Sequence, residues 1–248
     1  MIIDFSKFST IKIGSKIDVK IVDEYNYNDE LIIGRATNSL VCSGDVAILS
    51  DKYDFIKIEN GYLKVGAKTK NSKLYNFTRR HNITGFEFLS KLPGSIGGSV
   101  KMNAGMKEYE ISNNLVSINS IDKKNFKFGY RTSIINSPIF EVCFEINEGF
   151  NKSLVDMFSK MRDNQPKLPS LGSAFKNPKN DYAGRLIQEV GLKGIKFGGV
   201  GFSEIHANFL VNYGDGKCED VIQAINEAKK RVFEKFGINL ENEIKLLI

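Results

Sequence analysis

Apolar and polar residues alternate over residues 16–23, where Ile17, Val19 and Ile21 share one face, and short apolar runs follow at 31–33 and 46–49. A period of two predicts strands joined by turns through the first 50 residues. Residues 56–65 read as a hairpin about Asn60-Gly61, a dipeptide suited to the positive φ angles of a type I′ turn. Thr69 stands where it would cap a helix reaching about Arg80, with Leu74 and Phe77 inward. Strands follow near 115–121 and 139–146, then a helix over 153–164 ahead of Pro166. Asp181 would cap a helix ending at Val190, with Gly191 just beyond. The clearest helix is 219–236: Glu219 and Asp220 open it, Lys229, Lys230 and Arg231 lie near its end, and Ile222, Ile225, Val232 and Phe236 line one face. A last strand is expected over 243–247. Helices and strands interleave without βαβ regularity, which favours an α+β fold.

Composition narrows the class. The chain has 248 residues, 42% hydrophobic and 26% charged, ordinary for globular domains. It lacks an apolar run of the roughly 18–20 residues that would span a bilayer. Asp4 stands where a secretory leader carries basic residues, so the expected location is the cytoplasm. Cys42, Cys143 and Cys218 are odd in number and far apart, which excludes a fully paired disulfide framework and a paired-cysteine zinc site. With only His81 and His206, histidine-rich metal chemistry is not expected. The net charge of +6 suits polyanionic ligands, but the lysines are scattered and arginines number seven, so the chain lacks the arginine patch of a nucleic-acid binder.

Glycine marks where the backbone meets a ligand or turns tightly. Five of the 22 glycines fall in 85–105 and seven in 172–201. No dinucleotide fingerprint follows a strand, and the spacing from Gly61 to Lys68 is one residue too long for a P-loop. Pro93-Gly94 predicts a turn, and Gly97-Gly98 predicts a short helix whose first N–H groups face an anion. The small-residue turn at 34–38 is a second phosphate candidate. Between Pro169 and Pro178 lie a hydroxyl, an ammonium and an amide, at Ser173, Lys176 and Asn177. Arg131, flanked by Tyr130, is the fourth candidate, while His206 in its apolar stretch reads as structural.

The segment from Phe88 through Leu92-Pro93-Gly94-Ser95-Ile96-Gly97-Gly98 to Asn103-Ala104-Gly105 resembles the flavin-binding signature of the UDP-N-acetylenolpyruvoylglucosamine reductase family. Further segments match in order. They are the 34–38 loop, Tyr130-Arg131-Thr132-Ser133, the 172–178 and 183–194 stretches, 198–212 with His206-Ala207-Asn208-Phe209, and the terminal 240–244. The loop departs from the family's three glycines, serine and asparagine, reading Gly34-Arg35-Ala36-Thr37-Asn38, and Asn242 stands in place of a proline. The short run from Gln165 into Gly172-Ser173 resembles the compact branch that lacks an extra substrate-covering loop.

The resemblance implies an FAD-binding fold of the PCMH/vanillyl-alcohol-oxidase type. Residues 1–50 would form one FAD subdomain, 51–165, joined by the C-terminal strand 237–248, a second, and 166–236 an α+β substrate-binding domain. It implies non-covalent FAD held by Gly34, Arg35, Ala36, Thr37 and Asn38 and by Pro93, Gly94, Ser95, Ile96, Gly97, Gly98, Asn103, Ala104 and Gly105. NADPH would reduce the flavin, and hydride would pass to the vinyl carbon of the enolpyruvyl UDP-sugar in peptidoglycan synthesis. Arg131 and Glu243 would stabilise the enolate, Ser173 would donate the proton, and Tyr130 and Asn177 would position the substrate. The alternative is another FAD-dependent oxidoreductase of the same superfold, such as an oxidase; a covalent flavin would favour it, but the matching loops hold no histidine.

Overall fold

The computed structural model describes all 248 residues and divides them into two compact units. One unit comprises 1–19, 36–45 and 164–248, and the other 20–35 and 46–163. The fold is α+β, as the interleaved pattern predicts. No helix is long and apolar enough to cross a membrane.

The first unit is built on an antiparallel four-stranded sheet in the spatial order Ser170–Ser173, Phe209–Asn212, Val200–Phe202, Lys196–Phe197. Helices α1 (Ala183–Glu189) and α2 (Cys218–Phe236) share its core, where Phe175, Leu186, Phe202, Val221, Ile225 and Val232 are buried together. The long helix ends as expected, on Gly237 in the left-handed conformation. Its buried stripe, however, runs through Val221, Ala224, Ile225, Ala228 and Val232, with Ile222 and Phe236 only half-buried. Two alanines let the helix pack closely, a signal that large apolar residues alone do not carry. The terminal strand Lys245–Leu247 pairs in parallel with Ser39–Val41. Lys245 N–H also donates to Asn38 O at 2.9 Å, at the start of that pairing. Cys42 and Cys218 are disulfide-bonded across 176 positions, which leaves Cys143 as the unpaired thiol of the odd count.

The second unit holds a five-stranded antiparallel sheet in the order Ile121–Asp122, Leu115–Ile118, Glu141–Glu145, Tyr62–Gly66, Ile56–Glu59. A parallel three-stranded sheet places Val46–Leu49 between Lys20–Val22 and Leu31–Ile32. The hairpin turns where expected, with Asn60 at φ 51° and Gly61 at φ 78°. Helix α3 (Asn71–Arg80) has Lys70, not Thr69, at its N-cap; the Thr69 hydroxyl instead donates to Phe55 O at 3.0 Å. Helix α4 (Ile96–Met102) follows the glycine turn, and α5 (Lys152–Met161) is capped by the Asn151 side chain. Phe86, Phe88, Leu74, Val100, Phe144 and Phe158 fill this unit's core.

Candidate active site

The glycine-rich segment of the second unit is fixed by its neighbours' main chain. Asn71 N–H donates to Gly94 O at 3.1 Å, and the buried Asn71 amide exchanges hydrogen bonds with the Ser99 hydroxyl at 2.9 and 3.0 Å. Ile96 N–H and Gly97 N–H donate to Thr69 O and Ala67 O, both at 2.9 Å. Two of the helix's first N–H groups are therefore spent on the protein, contrary to the expectation that they face a ligand. What faces outward is Gly98, which is exposed; a Cβ there would meet only Ser95 Oγ, at 3.5 Å. A Cβ on Gly97 would stand 2.8 Å from Ala67 Cβ, and one on Gly34 would stand 2.6 Å from Ser95 Oγ. The Gly34 and Ser95 segments, far apart in sequence, are thus in contact. Gly34 and Arg35 belong to this unit, whereas Ala36, Thr37 and Asn38 belong to the other.

Helix α4 ends on Asn103, which is fully buried in the left-handed conformation at φ 45°. Its Nδ2 donates to Glu110 Oε2 at 2.7 Å and to Gly129 O at 3.1 Å, while its Oδ1 is buried without a partner. Gly105 pairs tightly with Glu110 and presents its carbonyl to Arg131 Nη2 at 2.9 Å. Tyr130 and Arg131 form the two-residue turn between Gly129 and Thr132, with Arg131 at φ 55° and its guanidinium 5.2 Å from the centre of the Tyr130 ring. A non-glycine residue in this conformation costs on the order of 1–3 kcal/mol and is found where the surroundings over-determine it, often at functional sites. Arg162, which the sequence pattern did not single out, is held below the ordinary guanidinium pKa by burial and then by the Arg131 charge. Two guanidinium groups sharing one field raise the local positive potential.

In the first unit Ser173 ends its strand opposite Phe209, beyond an irregularity in the pairing between Ser170 and Ser173 where Gly172 takes φ 81°. Glu243 N–H donates to Ala174 O at 2.9 Å, and Asn242 bridges Phe175, so the segments carrying Ser173 and Glu243 lie side by side. Asn38 Nδ2 donates to Glu243 O at 3.0 Å, placing the end of the 34–38 loop on the same segment. Glu243 lies in a bend ahead of the terminal strand, which begins only at Lys245, so Glu241, Glu243 and Lys245 do not share a strand face. Glu241 instead pairs with Lys176, Nζ to Oε1 at 2.5 Å. Asn177 Oδ1 accepts the Ala183 N–H at 3.1 Å and so helps start α1, a task the sequence pattern had given to Asp181. Asp181 pairs with Arg185, and that hydrogen bond lowers its carboxyl to about 2. His206 Nδ1 accepts the Asn208 N–H at 3.2 Å, and burial lowers the imidazole pKa; it is structural, as its apolar setting predicts. The structure places Arg131 in one unit and Ser173, Asn177 and Glu243 in the other.

Residues 164–247 match the family model described as UDP-N-acetylenolpyruvoylglucosamine reductase, C-terminal domain. The chain is 44% identical to the UDP-N-acetylenolpyruvoylglucosamine reductase of Campylobacter jejuni strain RM1221 over 258 aligned positions, covering 100% of both chains. It is 43% identical to the enzyme of the same name from Helicobacter hepaticus, covering 99% of this chain and 98% of that one. Among solved structures, the UDP-N-acetylenolpyruvylglucosamine reductase of Thermus caldophilus superposes with a TM-score of 0.84 at 26% identity, covering 100% of this chain and 98% of that chain.

Proposed function

The chain belongs to the UDP-N-acetylenolpyruvoylglucosamine reductase family, and from that premise we propose how its residues reduce the enolpyruvyl group of the UDP-sugar to the lactyl ether in peptidoglycan synthesis. The observation that carries the reading is the main-chain tie between Glu243 and Ala174, which sets a carboxyl and the Ser173 hydroxyl on adjacent segments.

The second unit's features fit a flavin dinucleotide. Asn103 Oδ1 is a buried acceptor in want of a donor, and exposed Gly98 lets a ligand approach the backbone. Gly34, Arg35 and the 93–105 segment would hold FAD without a covalent bond, with Ala36, Thr37 and Asn38 continuing the loop. Bound there, FAD would supply the hydride, with NADPH as its reductant. The two FAD subdomains and the substrate domain expected at 1–50, 51–165 and 166–236 are part of this reading.

The remaining chemistry belongs to side chains. Hydride arriving at the vinyl carbon drives electrons toward the α-carbon and its carboxylate, so a cation is required there. Arg131 meets the carboxylate with a planar fork, and the Gly105 carbonyl fixes its orientation. Glu243 acts in its protonated form, or orients a donor, since a bare carboxylate would repel the enolate. Ser173 delivers the proton to the α-carbon. Asn177 has spent its oxygen on Ala183, so it offers the substrate its amide hydrogens, and half-exposed Tyr130 offers its ring and hydroxyl. The test is the colour of the pure protein. Flavin absorbance, bleached by NADPH without oxygen and restored by the enolpyruvyl UDP-sugar, supports the reading; a colourless protein that takes up no added FAD overturns it.

A further inference from the structure

Asn208 is 3% exposed and commits every polar group it has to its surroundings. Its Oδ1 accepts the Phe175 N–H at 3.0 Å, and its Nδ2 donates to Phe175 O at 2.8 Å. Its own carbonyl accepts the Ala174 N–H at 2.7 Å, and its N–H donates to His206. A side-chain amide carries the same donor and acceptor as a peptide group. Here it takes the place of a strand neighbour for Phe175, just where the ladder ends at Ser173. On the other edge of the same two residues, Ala174 O receives the Glu243 N–H and Phe175 faces Asn242. Residues 174–175 are therefore a short strip gripped on one side by Asn208 and on the other by the terminal segment. Ser173 leads into this strip, and Glu243 is tied to it.

We propose that Asn208 is a positioning residue that holds Ser173 and Glu243 in a common register for proton delivery to the substrate. It touches no reacting atom and acts through the 174–175 main chain. The proposal rests on the reading of Ser173 as proton donor. A misplacement of about 1 Å at such a group costs on the order of 10² in rate, so loss of the grip should show in the substrate step and spare the cofactor.

The test is a double-variant cycle on the FAD-loaded enzyme, with NADPH-driven bleaching and reoxidation by the enolpyruvyl UDP-sugar followed separately without oxygen. Asn208→Ala should bleach within about twofold of wild type and reoxidise roughly 10²-fold more slowly. Asn208→Asp keeps the acceptor for Phe175 N–H but turns a second acceptor toward Phe175 O, so it too should slow reoxidation while bleaching stays within about twofold. Joined to Ser173→Ala, either variant should slow reoxidation by clearly less than it does alone, because the proton donor it would misplace is already gone and only the effect through Glu243 remains. Fully additive losses overturn the proposal while leaving Ser173 in its role. Equal loss in both steps also overturns it, since that marks Asn208 as structural only. If Ser173→Ala alone reoxidises at the wild-type rate, the donor assignment and the proposal fall together. Should Asn208→Ala not retain FAD, Asn208→Asp completes the same cycle.

Discussion

The glycine segment at 93–105 and the serine segment at 170–178 are both held rigidly, by different means. The first is braced by a single segment of the chain: Ala67, Thr69 and Asn71 accept from or donate to Gly94, Ile96, Gly97 and Ser99. The second is braced across the chain, by Asn208 on one side and by Glu241, Asn242 and Glu243 on the other. The first carries an exposed glycine, Gly98, and an unpartnered buried oxygen, Asn103 Oδ1, the two features on which the proposed cofactor site rests. The second ties the segments that carry Ser173 and Glu243 to each other, the two groups proposed to move a proton. A change in the first should alter what is bound, and a change in the second should alter how fast the bound substrate reacts.

Ser173→Ala puts the greatest strain on that division. Reoxidation by the enolpyruvyl UDP-sugar should fall by on the order of 10²–10⁴, the worth of a positioned general acid, with NADPH bleaching near wild type in the same stopped-flow series. Glu243→Gln should cost about 10²–10³ in turnover at unchanged FAD content and melting temperature. Glu241→Gln is its control: the exposed pair with Lys176 is worth at most about 1 kcal/mol, and turnover should hold. If the two glutamates exchange behaviour, the assignment is off by two positions. Arg131→Lys keeps the charge but not the fork, and turnover at saturating substrate should drop roughly a hundredfold; a loss within about threefold rejects the role.

Smaller effects test the brace itself. Gly97→Ala would push its new methyl against Ala67 and should destabilise the protein by about 1–3 kcal/mol, the usual penalty of overpacking. Ala67→Gly in the same chain should return most of the lost melting temperature; no recovery would mean the contact is not what Gly97 serves. The smallest effect concerns His206. Burial lowers its folded-state pKa, so the neutral form is favoured in the native protein. Its stabilising contribution is present above the unfolded value of about 6.5 and is lost as pH falls below it. Thermal melts at successive pH values should show a decline on the acid side that is shallower in His206→Gln.

What could be read without coordinates was local. The Asn60-Gly61 turn, the Gly237 helix stop and the glycine cluster each announce themselves within a few residues, because turn and cap chemistry is short-ranged. The grip of Asn208 on Phe175 spans 33 positions and the pairing of Lys245–Leu247 with Ser39–Val41 about two hundred; nothing in the periodicity of either partner names the other. The buried face of α2 departs from the one its large apolar residues predict for a related reason, since its alanines are buried by what the sheet offers them. Glu243 was identifiable only through the family motif. An extended terminus would have left Glu241 its equal, and it is the bend before Lys245 that separates them.

The division of labour is tested most directly by titrating FAD into the stripped protein by calorimetry, for wild type, Gly98→Ala, Ser173→Ala and Glu243→Gln. A Cβ on Gly98 makes only an ordinary contact with the protein, so the fold should tolerate it. It would stand where the cofactor approaches, and FAD affinity should fall at least about tenfold, as losing even one contact worth about 1.4 kcal/mol requires. Ser173→Ala and Glu243→Gln should bind FAD within about twofold of wild type, well inside that margin. Wild-type affinity in Gly98→Ala, or a comparable loss in all three variants, would contradict the account.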